Sequence, residues 1–112
     1  MRHRRKTLKL GREQGPRKAL LRNLVIEVIL HGKIKTTISK AKFIRPRVER
    51  AITRGKTPGL ATFRLLAGRF NEAAAKKLTT ELGPKYRERP GGYTRIIRLG
   101  HRKGDAAETA QI

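Results

Sequence analysis

The sequence has 112 residues, the size of one domain with a modest core, and carries 29 Lys and Arg against 8 Asp and Glu, a formal net charge of +21. Self-repulsion on that scale opposes compaction unless a polyanion cancels it, which points past a merely soluble basic surface to nucleic acid first and an anionic membrane second. Cysteine is absent, which excludes disulfides, thiolate metal sites and a thiol nucleophile.

Residues 1–16 hold Arg2, His3, Arg4, Arg5, Lys6, Lys9 and Arg12 against Glu13 alone, with only Leu8 and Leu10 as anchors. Like charges this close repel, so the segment reads as a basic arm, extended alone and ordered on RNA, ahead of a single domain at 17–112. Pro16 suits a helix start. From 17 to 31, Leu20, Leu21, Leu24, Val25, Val28 and Ile29 recur at helical spacing, and Gly32 is the expected left-handed residue after it. Residues 33–37 alternate and are β-branched, a short strand. Ser39 is placed to cap a second helix over 40–53, with Ala41, Ile44, Val48, Ala51 and Ile52 inward. Pro46 removes one of its hydrogen bonds and calls for either a kink or a late start.

Residues 54–59 form a turn with two Gly and a Pro. Residues 60–67 suit a short helix with Leu60, Phe63 and Leu66 inward and Gly68 at its end. Asn71 caps a helix over 72–82, which Gly83-Pro84 should stop. A basic loop over 86–92 leads to a strand at 93–99, a turn at 100–105 and a last strand at 106–112, the weakest for its alanines. The class is α+β: three to four helices packed with a small sheet of about three short strands.

The inventory offers no catalytic centre. His3, His31 and His101 stand in the arm, at a helix end and in a turn, with no second His or carboxylate at ligand spacing, so solvation or phosphate contact is expected of them. The carboxylates are scattered singly, and Gly91-Gly92 lacks the Lys-Ser/Thr of a nucleotide loop. An enzyme acting on RNA would need a general base or a metal cluster, so no activity, metal, cofactor or small-molecule substrate is expected. Glu27 splits the apolar stretches 24–26 and 28–30, so no membrane span is expected, and no apolar run follows Arg2 to Lys6 as a secretory signal requires. The first helix is not basic enough on its polar face for a membrane-surface binder. With few aromatic residues to stack bases, recognition should rest on Lys and Arg meeting a folded RNA. Gly91-Gly92-Tyr93-Thr94-Arg95 suits a tight turn into a strand, with room for RNA backbone and Arg95 on a phosphate. A free-standing architectural protein remains a rival on composition alone.

An ordered set of short motifs runs along the chain. They are Met1-Arg2-His3, Lys9-Leu10-x-Arg12, Arg17-x-Ala19-Leu20-Leu21-Arg22-Asn23-Leu24 and His31-Gly32-x-Ile34-x-Thr36-Thr37. Lys40-Ala41-Lys42, Gly91-Gly92-Tyr93-Thr94-Arg95-Ile96 and Gly104-Asp105-x-Ala107 follow. The set resembles the bacterial large-subunit ribosomal protein seventeen family over essentially the whole chain. The resemblance implies an α+β protein of the cytoplasmic ribosome that binds large-subunit ribosomal RNA near the tunnel exit, beside neighbouring ribosomal proteins. Against the family pattern, Pro16 replaces a usual His, Phe43 replaces a usual Glu, the segment 57–71 is short, and the usual extension after Ile112 is missing. Charge and motifs together mark Arg2, His3, Arg4, Arg5, Lys6, Lys9, Arg12, Arg17, Lys18 and Arg22 as RNA-binding. Asn23, Lys40, Lys42, Arg95, Arg102 and Lys103 complete the expected set.

Overall fold

The computed structural model describes residues 9–112. Helix α1 (Gln14–His31) opens at Glu13, whose carbonyl accepts from the Arg17 N–H at 2.9 Å. The helix thus starts two residues before Pro16, which falls in the first turn, where a missing N–H costs nothing. Leu21, Val25, Ile26, Val28 and Ile29 are buried, while Leu20 and Leu24 are only half-buried. Ile26 displaces them from the expected stripe because α1 packs on two neighbours, not one. Gly32 ends the helix as expected, at φ +80° with its N–H on the Val28 carbonyl at 2.9 Å.

Strand β1 (Lys35–Thr37) runs straight into α2 (Ile38–Gly55). Thr37, not Ser39, is the capping position, and it offers no side-chain bond. Packing sets this start: Ile38 is already buried, so the first turn cannot wait for Ser39. Helix α2 starts at Ile38 and runs through Pro46, so of the two alternatives that proline left open, the late start does not occur. Its inward stripe is the expected Ala41, Ile44, Val48, Ala51 and Ile52.

Helix α3 (Leu60–Arg69) passes through Gly68 without ending there, and buries Thr62 and Leu66. Leu60 is 62% exposed, against the expectation that it faces inward, because the helix meets the core along the line of Thr62, Leu66 and Phe70. Asn71 caps α4 (Glu72–Lys77) as expected, its Oδ1 accepting from the Ala74 N–H at 2.7 Å. Gly83-Pro84 does not stop the chain. A π-helical stretch (Leu78–Leu82) follows, and α5 (Gly83–Lys85) continues it. The Gly83 N–H reaches back to the Leu78 carbonyl, and Pro84, which has no N–H to satisfy, falls in the first turn of the renewed α-helix. Gly83 is there for proximity: a Cβ on it would collide with the Gly55 carbonyl, and one on Gly55 would lie 2.8 Å from the Leu78 carbonyl.

Strands β2 (Ile97–His101) and β3 (Glu108–Gln111) join β1 in an antiparallel sheet of order β1-β3-β2. The strand expected at 93–99 begins only at Ile97, because Tyr93 is buried, with its hydroxyl 3.1 Å from Thr53 Oγ1 on α2. It then runs through Gly100 and His101, expected in a turn, across a bulge between Arg98 and Gly100. The last strand, the weakest on sequence, begins at Glu108, past Ala106 and Ala107, and is the central one, with Ala110 fully buried between Thr36 and Arg98. One apolar core runs from α1, α2 and α4 through Tyr93 to Ala110 and Ile112.

Candidate nucleic-acid interface

Helix α2 has two faces. Beside its buried stripe, Arg47, Arg50 and Arg54 recur at i, i+3 and i+7, which places them on one side of the helix. That side opens on a groove of about 1010 Å³, to which α1 adds Lys18 and Arg22 and α3 adds Arg69. Arg22 is anchored: its guanidinium donates to the Arg69 carbonyl at 3.1 Å and to the Phe70 carbonyl, tying α1 to the end of α3. A cation there also suits the negative end of a helix. Arg47 donates to the Phe43 carbonyl at 3.2 Å and lies 4.5 Å from the Phe43 ring centre.

Among the described residues, no carboxylate pairs with Arg47, Arg50, Arg54 or Arg69. Glu49 borders the groove, but it accepts from the Thr94 hydroxyl at 3.0 Å and lies 3.6 Å from Arg45. Burial, then the neighbouring charges of Arg50 and Arg69, hold the Arg47 guanidinium below its usual pKa. The groove is a concentration of positive charge that the protein does not neutralise.

A second hollow, of about 410 Å³, gathers Arg45, Arg89 and Arg95 around residues 92–96. Gly91 and Gly92 turn the chain into it at φ +88° and +63°, conformations that a side chain would strain. Beside it, Tyr93 packs on Tyr86 at 5.1 Å between ring centres, and Lys56 Nζ stands 4.6 Å over the Tyr93 ring. Hydrogen bonding from Lys56 and Thr53 holds the Tyr93 phenol below its usual pKa.

The other residues expected from sequence are dispersed. Arg2, His3, Arg4, Arg5 and Lys6 lie outside the described residues. Lys9 and Arg12 are exposed, and Arg12 and Arg17 turn guanidinium groups to nearby carbonyls of the same segment. Asn23 is exposed on α1; Lys42 is exposed and Lys40 half-buried on α2. Lys103 is exposed in the turn between β2 and β3. Arg102 is engaged there, donating from Nε to Asp105 Oδ1 at 3.1 Å and from a second nitrogen to the other oxygen. That pair, with the Ala107 N–H, holds the Asp105 carboxyl down at about 2. His31 does have a carboxylate in reach, contrary to expectation: Nε2 is 2.8 Å from Glu27 Oε2, one helical turn away. Among the described residues no three His, Asp or Glu converge on a metal-sized site, and no helix is long and apolar enough to cross a membrane.

Sequence reading missed Arg45, Arg47, Arg50, Arg54, Arg69 and Arg89. For three of them the signal was present, since Arg47, Arg50 and Arg54 share one helical face beside the apolar stripe.

Comparison with known proteins bears on what this charge serves. The family described as Ribosomal protein L17 matches residues 20–112. A protein of Gemmatimonas aurantiaca named large ribosomal subunit protein bL17 is 52% identical, with 100% of this chain and 96% of that protein covered. The chain belongs to the ribosomal protein L17 family. Its bL17 relative in Bdellovibrio bacteriovorus is also 52% identical over 96% of this chain, which spans only 60% of that longer protein. The bL17 of Sulfurimonas denitrificans is 51% identical, with 100% and 97% covered. This is a family of ribosomal structural components, not of enzymes. The L17 match takes in every groove arginine from Arg22 to Arg69, whereas Lys9, Arg12, Arg17 and Lys18 precede it.

Proposed function

We propose that the protein is a structural constituent of the large ribosomal subunit that binds ribosomal RNA through a basic arm at 1–16 and basic faces of the folded body. In this role it supports assembly and stability of the subunit near the tunnel exit, with neighbouring ribosomal proteins beside it. The observation that carries the reading is the unneutralised arginine groove, in a chain whose relatives are large-subunit proteins. A charge excess of +21 is a cost to an isolated fold and an asset against phosphates, each neutralised phosphate releasing a counterion. The residues proposed for contact are those expected from sequence, the arm included, together with the groove arginines.

Sedimentation tests the reading. The protein should stay with large subunits through salt washes that strip loosely held basic proteins, and recovery in the wash would refute it. Crosslinks mapped to nucleotides in purified subunits test the location: they should fall in RNA lining the tunnel exit.

A further inference from the structure

Resting on that reading, we propose that the groove among α1, α2 and α3 seats the backbone of a single RNA strand, as a phosphate-binding site separate from the N-terminal basic run. Its cations come from three elements: Lys18 from α1, Arg69 from α3, and Arg47, Arg50 and Arg54 from the α2 face between them. A single strand can enter a hollow of about 1010 Å³ lined by these cations, whereas a duplex, the wider body, would rest across its rims. Along α2 the three arginines span about 10 Å at about 1.5 Å per residue, the reach of two to three successive phosphates on one extended strand at roughly 6 Å apart.

The electrostatics select the occupant. Arg47 is crowded by Arg50 and Arg69, and the bordering carboxylate, Glu49, is already held by Thr94 and Arg45. An evenly spaced polyanion relieves that crowding. Arg50 and Arg54 make no side-chain hydrogen bond among the described residues, so their guanidinium groups can turn to a ligand without breaking one. Arg22, which donates to the Arg69 and Phe70 carbonyls, ties α1 to the end of α3 at the groove.

The test uses the full chain and two RNAs, poly(U) as single strand and poly(A)·poly(U) as duplex, each titrated across a range of salt. The groove variant R47Q/R50Q/R54Q is compared with a charge-matched control, K33Q/K35Q/K76Q, whose residues are exposed away from the groove. On poly(U) the log–log salt slope of the groove variant should flatten by about two units, at roughly 0.7 per phosphate. On the duplex, and for the control on either RNA, the change should stay below about one unit. Equal flattening by the two triples, or equal flattening on both RNAs, overturns the assignment. If the triple loses helical signal, Arg50→Gln and Arg54→Gln are read singly, at about 0.7 unit each on poly(U). A crosslinker at position 50 that captures a neighbouring protein instead of RNA in assembled subunits also overturns it. Wild-type chain that fails to sediment with large-subunit RNA refutes the broader reading itself, while retention with an unchanged variant slope refutes only the groove.

Discussion

Helix α2 ends against Gly83 with no room for a methyl group, yet an adjoining face of the same helix opens on about 1010 Å³ of space. At the first place volume decides which residue is tolerated. At the second, charge decides. Arg54 and Gly55 are neighbours in sequence and answer to these two different demands, so a substitution at either reports on one demand alone.

The largest effects belong to the packed end. Leu78 is fully buried on the π-helical stretch, and Leu78→Ala should cost about 2–5 kcal/mol in denaturant melts. Gly83→Ala should cost about 1–3 kcal/mol, because its Cβ meets backbone and not a flexible side chain. A Gly83→Ala protein as stable as wild type would show that the two segments separate easily and would dissolve the contrast with the groove. Next in size, Asn71→Ala should cost about 1 kcal/mol by orphaning the Ala74 N–H.

At the groove the sign reverses. Arg50→Gln or Arg54→Gln should leave the free protein as stable or raise its stability by up to about 0.5 kcal/mol at low salt, read as a higher Tm, with the gain fading as salt rises. A clear fall in Tm would mean that these arginines hold the fold together. The smallest effect sits at the β2–β3 turn. Asp105 titrates at about 2 when folded, against 3.8 ordinarily, so its contribution is present above the ordinary range and is lost as pH falls through about 2. Carboxyl NMR should find that midpoint in the wild type and a higher one in Arg102→Gln. A wild-type midpoint at the ordinary value would remove the pair from solution.

What could be read from sequence was local. Gly32 and Asn71 do their work within four residues, and the inward stripe of α2 repeats within one helix, so each could be placed without its neighbours. Gly83-Pro84 looked like a stop by the same local logic. It failed because the decisive partner, Gly55, lies a whole helix hairpin away. Leu60 misled because an apolar residue does not say which side its neighbours will take. The family was legible in the ordered short motifs, whereas the groove was not: its arginines line one hollow only when α1, α2 and α3 are brought together.

The sheet sets an order of events. Thr36 pairs with Ala110, and β3 lies between β1 and β2. A chain emerging from synthesis carries β1 for most of its length before its hydrogen-bonding partner exists. Helices α1 to α4 close over shorter loops and can assemble first, while the sheet waits on the slowest, longest-range closure. Until residues 108–111 are made, Lys35 to Thr37 have no strand to pair with, whereas every groove residue from Lys18 to Gly91 precedes that strand in the chain.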